Sequence, residues 1–245
     1  MSKAWPAGRA VAIVVAAGRS QRMEGTDKLF AWLGDRPVLA HTLAALHAAP
    51  VEAIVLVSSA AAQERCAELV QQYCLDRVQA ICLGGATRQE SVYHGLRAAA
   101  ELAGEPEWAV VHDGARPLVT PELVAACLEA AREHGAAFVG VPVTDTIKLV
   151  DESGLVTRTL PREQLWAAQT PQAARFRTLR EVHERARAEG VEATDDAALL
   201  EWAGIPVKVV PGSYENIKIT RPADIEIAAA LLRRRLKILN YTNPI

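Results

Sequence analysis

Short runs of β-branched and apolar residues alternate along this chain with longer, alanine-rich amphipathic segments. The short runs have the length of strands, and the longer segments have the apolar spacing of helices that bury one face. Such alternation is typical of a mostly parallel sheet covered by helices on both faces. The predicted strands are Val11–Val15, Ile54–Val57, Val78–Leu83, Ala109–His112 and Phe138–Val143, and the helices between them are Val38–Ala48, Ala60–Gln72, Arg88–Leu102 and Pro121–His134. We therefore expect a doubly wound α/β fold.

The pattern changes after Pro142, where two short extended runs flank a turn that contains glycine. The runs are Thr146–Val150 and Leu155–Leu160, and the residues between them are Asp, Glu, Ser and Gly. This arrangement predicts a β-hairpin. We expect the hairpin to project from the sheet as an arm at about residues 143–165.

Beyond the arm the chain returns to an α/β pattern. The predicted elements are helices Thr178–Glu189 and Asp195–Trp202, strands Pro206–Val210 and Asn216–Thr220, and a final helix from Pro222 to about Leu236. We find no internal repeat and no linker rich in Gly, Ser or Pro. We therefore predict one domain over residues 1–245 with a protruding arm.

Charge and cysteine content exclude several classes of function. The 27 basic and 29 acidic side chains leave a net charge of −2, so the chain lacks the global positive charge of a nucleic-acid-binding protein. The apolar run near the N-terminus is too short for a membrane span and has no cleavage site of a signal peptide. The four cysteines form no C-x-x-C pair and no metal-ligand spacing with histidine. We expect free thiols, a cytoplasmic location, and no nucleic-acid or membrane partner.

The loop after the first strand, AAGRSQRMEGTDK, has the composition of a phosphate-binding loop. Its small residues, which let a ligand approach the backbone, and its cations are Ala16, Ala17, Gly18, Arg19, Arg22 and Lys28. Ligands of doubly wound sheets bind beyond the carboxyl ends of the strands, which is where this loop lies. Neither a dinucleotide fingerprint nor a P-loop is present, which disfavours hydride transfer and P-loop ATP hydrolysis. The loop therefore suits a polyphosphate, and the alternative is a solvated basic surface loop.

Two more strand ends carry candidate ligands. The third strand ends in GGATRQES, Gly84–Ser91, whose backbone amides suit a base edge or an anion, although an ordinary turn explains two glycines equally well. Asp113 ends the fourth strand and faces the basic loop, which favours a Mg²⁺ ligand over a turn aspartate. Arg116 suits a bidentate contact to a phosphate. Arg162 and Lys218 are further cations whose alternative is a solvated side chain.

Together and in this order, the motifs AAGRSQRM…K, GGATRQESV, HDGARP, PVTDTIK, AAQTPQ and ENIKIT closely resemble the 2-C-methyl-D-erythritol 4-phosphate cytidylyltransferases of the non-mevalonate isoprenoid pathway. The resemblance runs from about Ala10 to the final helix. It implies a Rossmann-like nucleotidyltransferase fold and transfer of a cytidylyl group from CTP to the 4-phosphate of methylerythritol. The products would be 4-diphosphocytidyl-2-C-methyl-D-erythritol and pyrophosphate. It also implies a requirement for Mg²⁺ and a homodimer whose arm reaches into the partner subunit.

The resemblance further implies a role for individual residues. Arg22 and Lys28 match the catalytic cations that stabilise the α-phosphate. The positions that match nucleotide contacts are Ala16, Ala17, Gly18, Gly85 and Ser91, and those that match contacts to the polyol phosphate are Arg116, Thr146, Arg162 and Lys218. Asp113 matches the metal-binding aspartate. This residue set agrees with phosphoryl transfer, which needs positioning and charge neutralisation more than covalent catalysis.

Three positions depart from the family pattern. Ser20 stands where a glycine is usual, Asp27 where a proline is usual, and Glu215 where an aspartate is frequent. Asp27 adds a negative charge beside Lys28, and Glu215 leaves open whether a second carboxylate binds the metal. None of the three removes a residue that we assign to catalysis.

Two alternative functions stay open at this point. A cytidylyltransferase acting on D-ribitol 5-phosphate would use CTP in the same way and differ in the Thr146–Arg162 arm and around Lys218. A non-catalytic nucleotide-binding protein could share the same sheet. The presence of Arg22, Lys28 and Asp113 together disfavours it, because a binder needs no groups that stabilise a transition state.

Overall fold

The computed structural model describes residues 8–18 and 27–242. Its strands are β1 Ala10–Ala16, β2 Trp32–Leu33, β3 Arg36–Pro37, β4 Ala53–Ser58, β5 Val78–Leu83, β6 Trp108–Asp113, β7 Ala136–Pro142, β8 Lys148–Val150, β9 Val156–Thr159, β10 Trp166–Arg175 and β11 Lys208–Pro211. Its helices are α1 Val38–Ala48, α2 Gln63–Gln72, α3 Arg88–Ala103, α4 Pro121–His134, α5 Phe176–Glu189, α6 Asp196–Trp202 and α7 Pro222–Thr242. Short 3₁₀ turns cover Ala60–Ala62 and Arg162–Gln164.

Seven strands form one sheet in the order β11-β7-β10-β6-β1-β4-β5. The pairs β1 with β4, β1 with β6, β4 with β5 and β7 with β11 are parallel, whereas β10 runs antiparallel to both of its neighbours. The chain moves from β1 out to β5 and then returns to the other side of β1 with β6. This reversal creates the switch point at which doubly wound sheets bind ligands. The predicted mostly parallel, doubly wound fold is confirmed.

Both faces of the sheet are buried, as expected for parallel strands between two helix layers. In β1 the side chains of Ala12 and Val14 pack on the face covered by α1, α2 and α4. Val11 and Ile13 alternate to the opposite face, which is covered by α3, α5 and α6. A smaller cluster under α7 includes Leu118 and Ile219. Within the part of the chain that is described, no helix is long and apolar enough to cross a membrane.

One prediction for the second half of the chain is wrong, and one strand was not predicted. The segment Asn216–Thr220 is not a strand; a single backbone-to-backbone hydrogen bond, from Ile219 N to Ala115 O (2.8 Å), joins it to the segment after β6. We also did not predict β10, which lies in the middle of the sheet. Its sequence, WAAQTPQAAR, contains few β-branched residues, and its pairing with β7 shifts between Ala168 and Gln172. The position of β10 therefore depends on its two neighbours more than on its own propensity.

The predicted hairpin is present as β8 and β9, which pair antiparallel in a sheet of their own. Asp151 Oδ1 accepts hydrogen bonds from the backbone of Ser153 and Leu155, and Gly154 has a positive φ of 84°. These contacts close the turn. The helix that follows Pro222 extends to Thr242, beyond its predicted end.

Candidate active site

A cavity of about 590 Å³ opens at the carboxyl ends of β1 and β6. These strands are neighbours, so the loops that follow them meet at the switch point of the sheet. The predicted site residues that line the cavity are Ala16, Ala17, Gly18, Lys28, Gly85, Ser91, Asp113 and Lys218. The fold thus brings together residues that are up to about 200 positions apart in the sequence.

Small residues form one wall of the cavity because the loops after β1 and β5 touch there. A Cβ atom on Gly84 would lie 2.3 Å from Ala17 Cβ and 2.8 Å from Ser91 Oγ, so a larger residue does not fit without displacement. Gly85 N donates to Ser91 Oγ (3.1 Å), and this hydroxyl donates to Thr87 O (2.8 Å). The loop before α3 is therefore held in one shape against the loop after β1.

The N-terminus of α3 is capped where it meets the cavity. Thr87 Oγ1 accepts from Glu90 N (3.1 Å), and Glu90 Oε2 accepts from Ala86 N (2.7 Å), an arrangement that resembles a capping box but reaches one residue before the N-cap. Thr87 and Ala86 both line the cavity. The positive end of the α3 dipole therefore lies at the cavity wall, which favours an anionic or electron-rich ligand there.

Asp113 is the carboxylate around which three cations of the site gather. Its side chain is buried, and its Oδ2 lies 2.8 Å from Lys218 Nζ and 3.6 Å from Arg116 Nε. Its Oδ1 accepts from Arg88 Nε at 3.2 Å. Burial alone would raise the pKa of Asp113, but Arg88, Lys218 and Arg116 together lower the pKa well below its usual range. Asp113 is therefore ionised at neutral pH.

A buried chain of charges leads from Asp113 into the protein. Arg88 Nη1 donates to Asp196 Oδ2 at 2.8 Å, and His183 Nε2 lies 3.0 Å from Asp196 Oδ1. Burial raises the pKa of Asp196, but Arg88 and His183 outweigh this effect and the pKa is about 2. Burial lowers the pKa of Arg88, yet Asp196 and Asp113 raise it above its ordinary value. Arg88 is therefore a charged bridge between α6 and the cavity.

Our sequence reasoning did not identify Arg88 or Asp196 as site residues. Arg88 lies within GGATRQES, next to the predicted Gly85 and Ser91, and Asp196 is the second aspartate of ATDDAALL. The two residues are 108 positions apart, and neither spacing nor periodicity connects them. The one available signal in the sequence was a pair of aspartates at the start of the predicted helix Asp195–Trp202.

Arg116 lies beside the cavity and is not one of the residues that line it. Its Nη1 donates to Asn216 O at 2.7 Å, which ties the loop after β6 to the segment that carries Lys218. Burial lowers the pKa of Arg116 against the opposing effect of Asp113. In this arrangement Arg116 orients Asp113 and the Lys218 segment.

Three predicted residues are not brought to the cavity within this chain or are not described. Thr146 and Arg162 lie exposed on and next to the arm, and Arg162 Nη1 donates to Thr144 O (2.8 Å). Arg22 lies in 19–26, outside the residues that the structure describes. The roles of these three residues stay predictions, as do the roles of the predicted residues that line the cavity.

Glu215, whose part in metal binding was left open, is engaged elsewhere. Its carboxylate contacts Arg235 Nε at 2.8 Å and Arg234 Nη2 at 3.5 Å, both on α7. These contacts attach α7 to the segment that precedes Lys218. Glu215 therefore has a structural explanation that needs no metal.

The oxygen donors of the cavity fit a hard divalent cation whose ligands come partly from the protein and partly from a bound substrate. Among the residues that the structure describes, none form a group of three or more His, Cys, Asp or Glu side chains suited to hold a metal. Asp113 offers one carboxylate to the cavity. Mg²⁺ is usually held by one or two carboxylates together with substrate phosphates and water, so Asp113 fits this ion when a polyphosphate is bound.

Comparison with known proteins gives a consistent result over nearly the whole chain. The family model for IspD, 2-C-methyl-D-erythritol 4-phosphate cytidylyltransferase, matches residues 10–234. A protein of that name from Desulforamulus reducens is 48% identical over 232 residues, which are 93% of this chain and 97% of the relative.

Solved structures agree with the sequence relatives. The 2-C-methyl-D-erythritol 4-phosphate cytidylyltransferase of Thermus thermophilus has a TM-score of 0.73 and 35% identity, covering 90% of this chain and 98% of the other. The 4-diphosphocytidyl-2C-methyl-D-erythritol synthase of Anaerococcus prevotii has a TM-score of 0.80 and 30% identity, covering 92% of this chain and 98% of the other.

Proposed function

The chain belongs to the 2-C-methyl-D-erythritol 4-phosphate cytidylyltransferase family, and from this premise we infer that its cavity carries out that reaction. The protein is a nucleotidyltransferase of isoprenoid precursor biosynthesis. It transfers the cytidylyl group of CTP to 2-C-methyl-D-erythritol 4-phosphate and releases pyrophosphate. The observation that carries this assignment is one cavity at the switch point of the sheet in which Lys28, Lys218 and Asp113 meet.

We propose that the cytidine end of CTP binds against the small-residue wall and the α3 N-terminus. Ala16, Ala17 and Gly18 permit close approach of the nucleotide to the backbone, and Gly85 and Ser91 belong to the fixed loop opposite them. The triphosphate then extends toward the lysines, whose charge attracts it.

The reaction is an in-line displacement at the α-phosphorus of CTP. An oxygen of the acceptor phosphate forms a bond to that phosphorus, and the bond to the bridging oxygen breaks with its electron pair, releasing pyrophosphate. The acceptor phosphate is already ionised near pH 7, so no general base is required. Lys28 and, by its match to the family, Arg22 stabilise the charge on the α-phosphate, and Lys218, Arg116, Thr146 and Arg162 handle the acceptor phosphate.

We propose that Asp113 holds Mg²⁺ when CTP is bound. The ion would neutralise phosphate charge and favour departure of pyrophosphate. Asp113 is suited to this role because it is ionised and lies at the cavity edge. Its present partner Lys218 has a long, partly exposed side chain that can move to a substrate phosphate.

We also propose a homodimer, in which the arm supplies Thr146 and Arg162 to the cavity of the partner subunit. The arm exposes Leu149, Val150 and Leu155, an apolar surface suited to contact with another copy.

We also propose a cytoplasmic location, which agrees with four cysteines that are all free thiols.

The test of function is turnover of CTP with each of two acceptors. With purified protein and Mg²⁺, we expect pyrophosphate release and a diphosphocytidyl product with methylerythritol 4-phosphate, and little turnover with D-ribitol 5-phosphate. Exclusive use of ribitol phosphate would replace the proposed acceptor. Binding of CTP without turnover of either acceptor would indicate a non-catalytic nucleotide-binding protein.

A further inference from the structure

The two oxygens of Asp113 have partners of different kinds. Oδ2 contacts Lys218 Nζ at 2.8 Å, an ammonium on a flexible stem whose side chain is 38% exposed. Oδ1 accepts from Arg88 Nε, and the Arg88 side chain is 22% exposed. One oxygen therefore faces an exchangeable cation, and the other faces a cation that a second carboxylate, Asp196, holds in place.

Arg88 is held in place because two nitrogens of its guanidinium contact different carboxylates. Nη1 donates to Asp196 Oδ2 at 2.8 Å, and the Asp196 side chain is 2% exposed. Asp196 is fixed in turn, since its backbone N donates to Gln172 Oε1 (3.0 Å) and His183 Nε2 contacts its other oxygen. Arg88 thus has a rigid anchor in α6 and β10.

The Arg88 side chain lines the cavity, and two of its nitrogens are engaged by carboxylates. Nε and Nη1 contact Asp113 and Asp196, and Nη2 is buried without a hydrogen-bond partner. The planar fork of arginine can hold two carboxylates in a fixed relation, which the single ammonium of lysine cannot do. The geometry suits a residue that acts through Asp113.

We propose that Arg88 is a positioning residue for the metal-binding carboxylate. It holds Asp113 by Oδ1, with Asp196 as its anchor, so that Oδ2 is the oxygen at which Lys218 and the divalent cation exchange. When Asp113 holds the divalent cation that it would share with CTP, the Lys218 ammonium would leave Oδ2 and become available to a substrate phosphate. This inference rests on the proposed function, because it takes Asp113 as the metal ligand.

The test measures metal binding in the absence of turnover. Mn²⁺, which prefers the same oxygen ligands as Mg²⁺, is titrated into protein with CTP and without acceptor, and free Mn²⁺ is followed by electron paramagnetic resonance. We expect Arg88→Lys to weaken Mn²⁺ binding by roughly 10- to 100-fold, the range for residues that orient a metal ligand, and to change metal-free CTP binding by less than about twofold. The control Arg180→Lys alters an arginine paired with Glu105 outside the cavity and should leave both affinities unchanged.

Each outcome bears on the proposal. Unchanged Mn²⁺ affinity in folded Arg88→Lys would overturn it, and so would an equal loss of metal-free CTP binding, which would make Arg88 a support of the nucleotide loop. Failure of the unaltered protein to bind Mn²⁺ with CTP would reject the metal site itself, a result distinct from the previous two. If Arg88→Lys does not fold, Asp196→Asn removes the anchor instead, and Mn²⁺ binding as tight as in the unaltered protein would contradict the proposed role.

Discussion

Lys28 and Lys218 line the same cavity, and we propose that their charges act at different stages of the reaction. Lys218 already neutralises Asp113 before any ligand arrives, at a distance of 2.8 Å. Lys28 lies on the loop after β1, where the triphosphate is proposed to bind. A cation that contacts the α-phosphate gains interaction energy as charge builds up there, and this differential gain accelerates the reaction.

Lys28→Ala should therefore reduce kcat far more than it weakens CTP binding. We expect a loss of roughly 100-fold or more in kcat, the size found when one group that stabilises transition-state charge is removed. The matched control is Lys208→Ala, an exposed lysine on the edge strand β11, which should retain normal kinetics. Steady-state kinetics and a separate CTP titration distinguish the two effects. Normal turnover by Lys28→Ala would remove this lysine from the mechanism.

The contrast between Asp113 and Arg88 shows what could be predicted residue by residue. Asp113 was predictable, because a carboxylate that ends a buried strand must lie at the edge of the sheet where ligands bind. Lys28 and Gly85 follow from the same rule. Arg88 needs Asp196 as its anchor, and their contact arises because α3 and α6 both pack against α5, which neither local sequence pattern indicates.

At the level of elements, α3 connects the core of the sheet to the wall of the cavity. Its apolar face, including Val92 and Leu96, packs on β1 and β4, while its first turn lines the cavity. The N-cap of α3 therefore has two roles, one in helix stability and one in the shape of the loop that contains Gly85. The N-cap of α4 has the first role alone, since Thr120 does not line the cavity.

These two caps form a matched pair for mutation. Thr87 Oγ1 accepts from Glu90 N, and Thr120 Oγ1 accepts from Leu123 N. Both Thr87→Ala and Thr120→Ala should lower the free energy of unfolding by about 1 kcal/mol, measured by urea denaturation. Only Thr87→Ala should also weaken CTP binding, by about fivefold if the same energy is lost from the fixed loop. Equal CTP affinities in the two variants would show that the α3 cap does not shape the part of the cavity that binds CTP.

Element prediction succeeded where local pattern and tertiary environment agree. Strands β1 and β4 and the Trp108–Val111 part of β6 are apolar runs because both of their faces are buried, whereas the edge strand β5 is only partly buried. For β10 the two disagree: its Gln169, Thr170 and Gln172 are buried polar residues whose hydrogen bonds are made by neighbouring segments. The segment Asn216–Thr220 shows the opposite case. Its buried Ile219 and exposed Lys218 alternate as in a strand, but the segment has no partner strand and does not form one.

At the scale of the whole molecule, the stability of the arm is not explained by strand pairing within its own subunit. A two-stranded hairpin is marginally stable by itself, yet β8 and β9 pair only with each other in the described part of the chain. Their apolar side chains Leu149, Val150 and Val156 are 44–59% exposed. Packing against a second copy would both cover this surface and bring Arg162 near a partner's cavity, which is the assembly that we propose.

Complementation between two inactive variants tests this assembly. Mixed Lys28→Ala and Arg162→Ala subunits form heterodimers in which one cavity carries both defects and the other carries neither. If half of the dimers are mixed, activity should return to about a quarter of normal. Lys28→Ala mixed with Lys218→Ala is the control and should stay inactive, because both lysines line the cavity of one chain. Native mass spectrometry establishes that heterodimers are present. Inactive heterodimers in the first mixture would mean that the arm serves its own subunit, since both defects would then lie in separate, equally damaged sites.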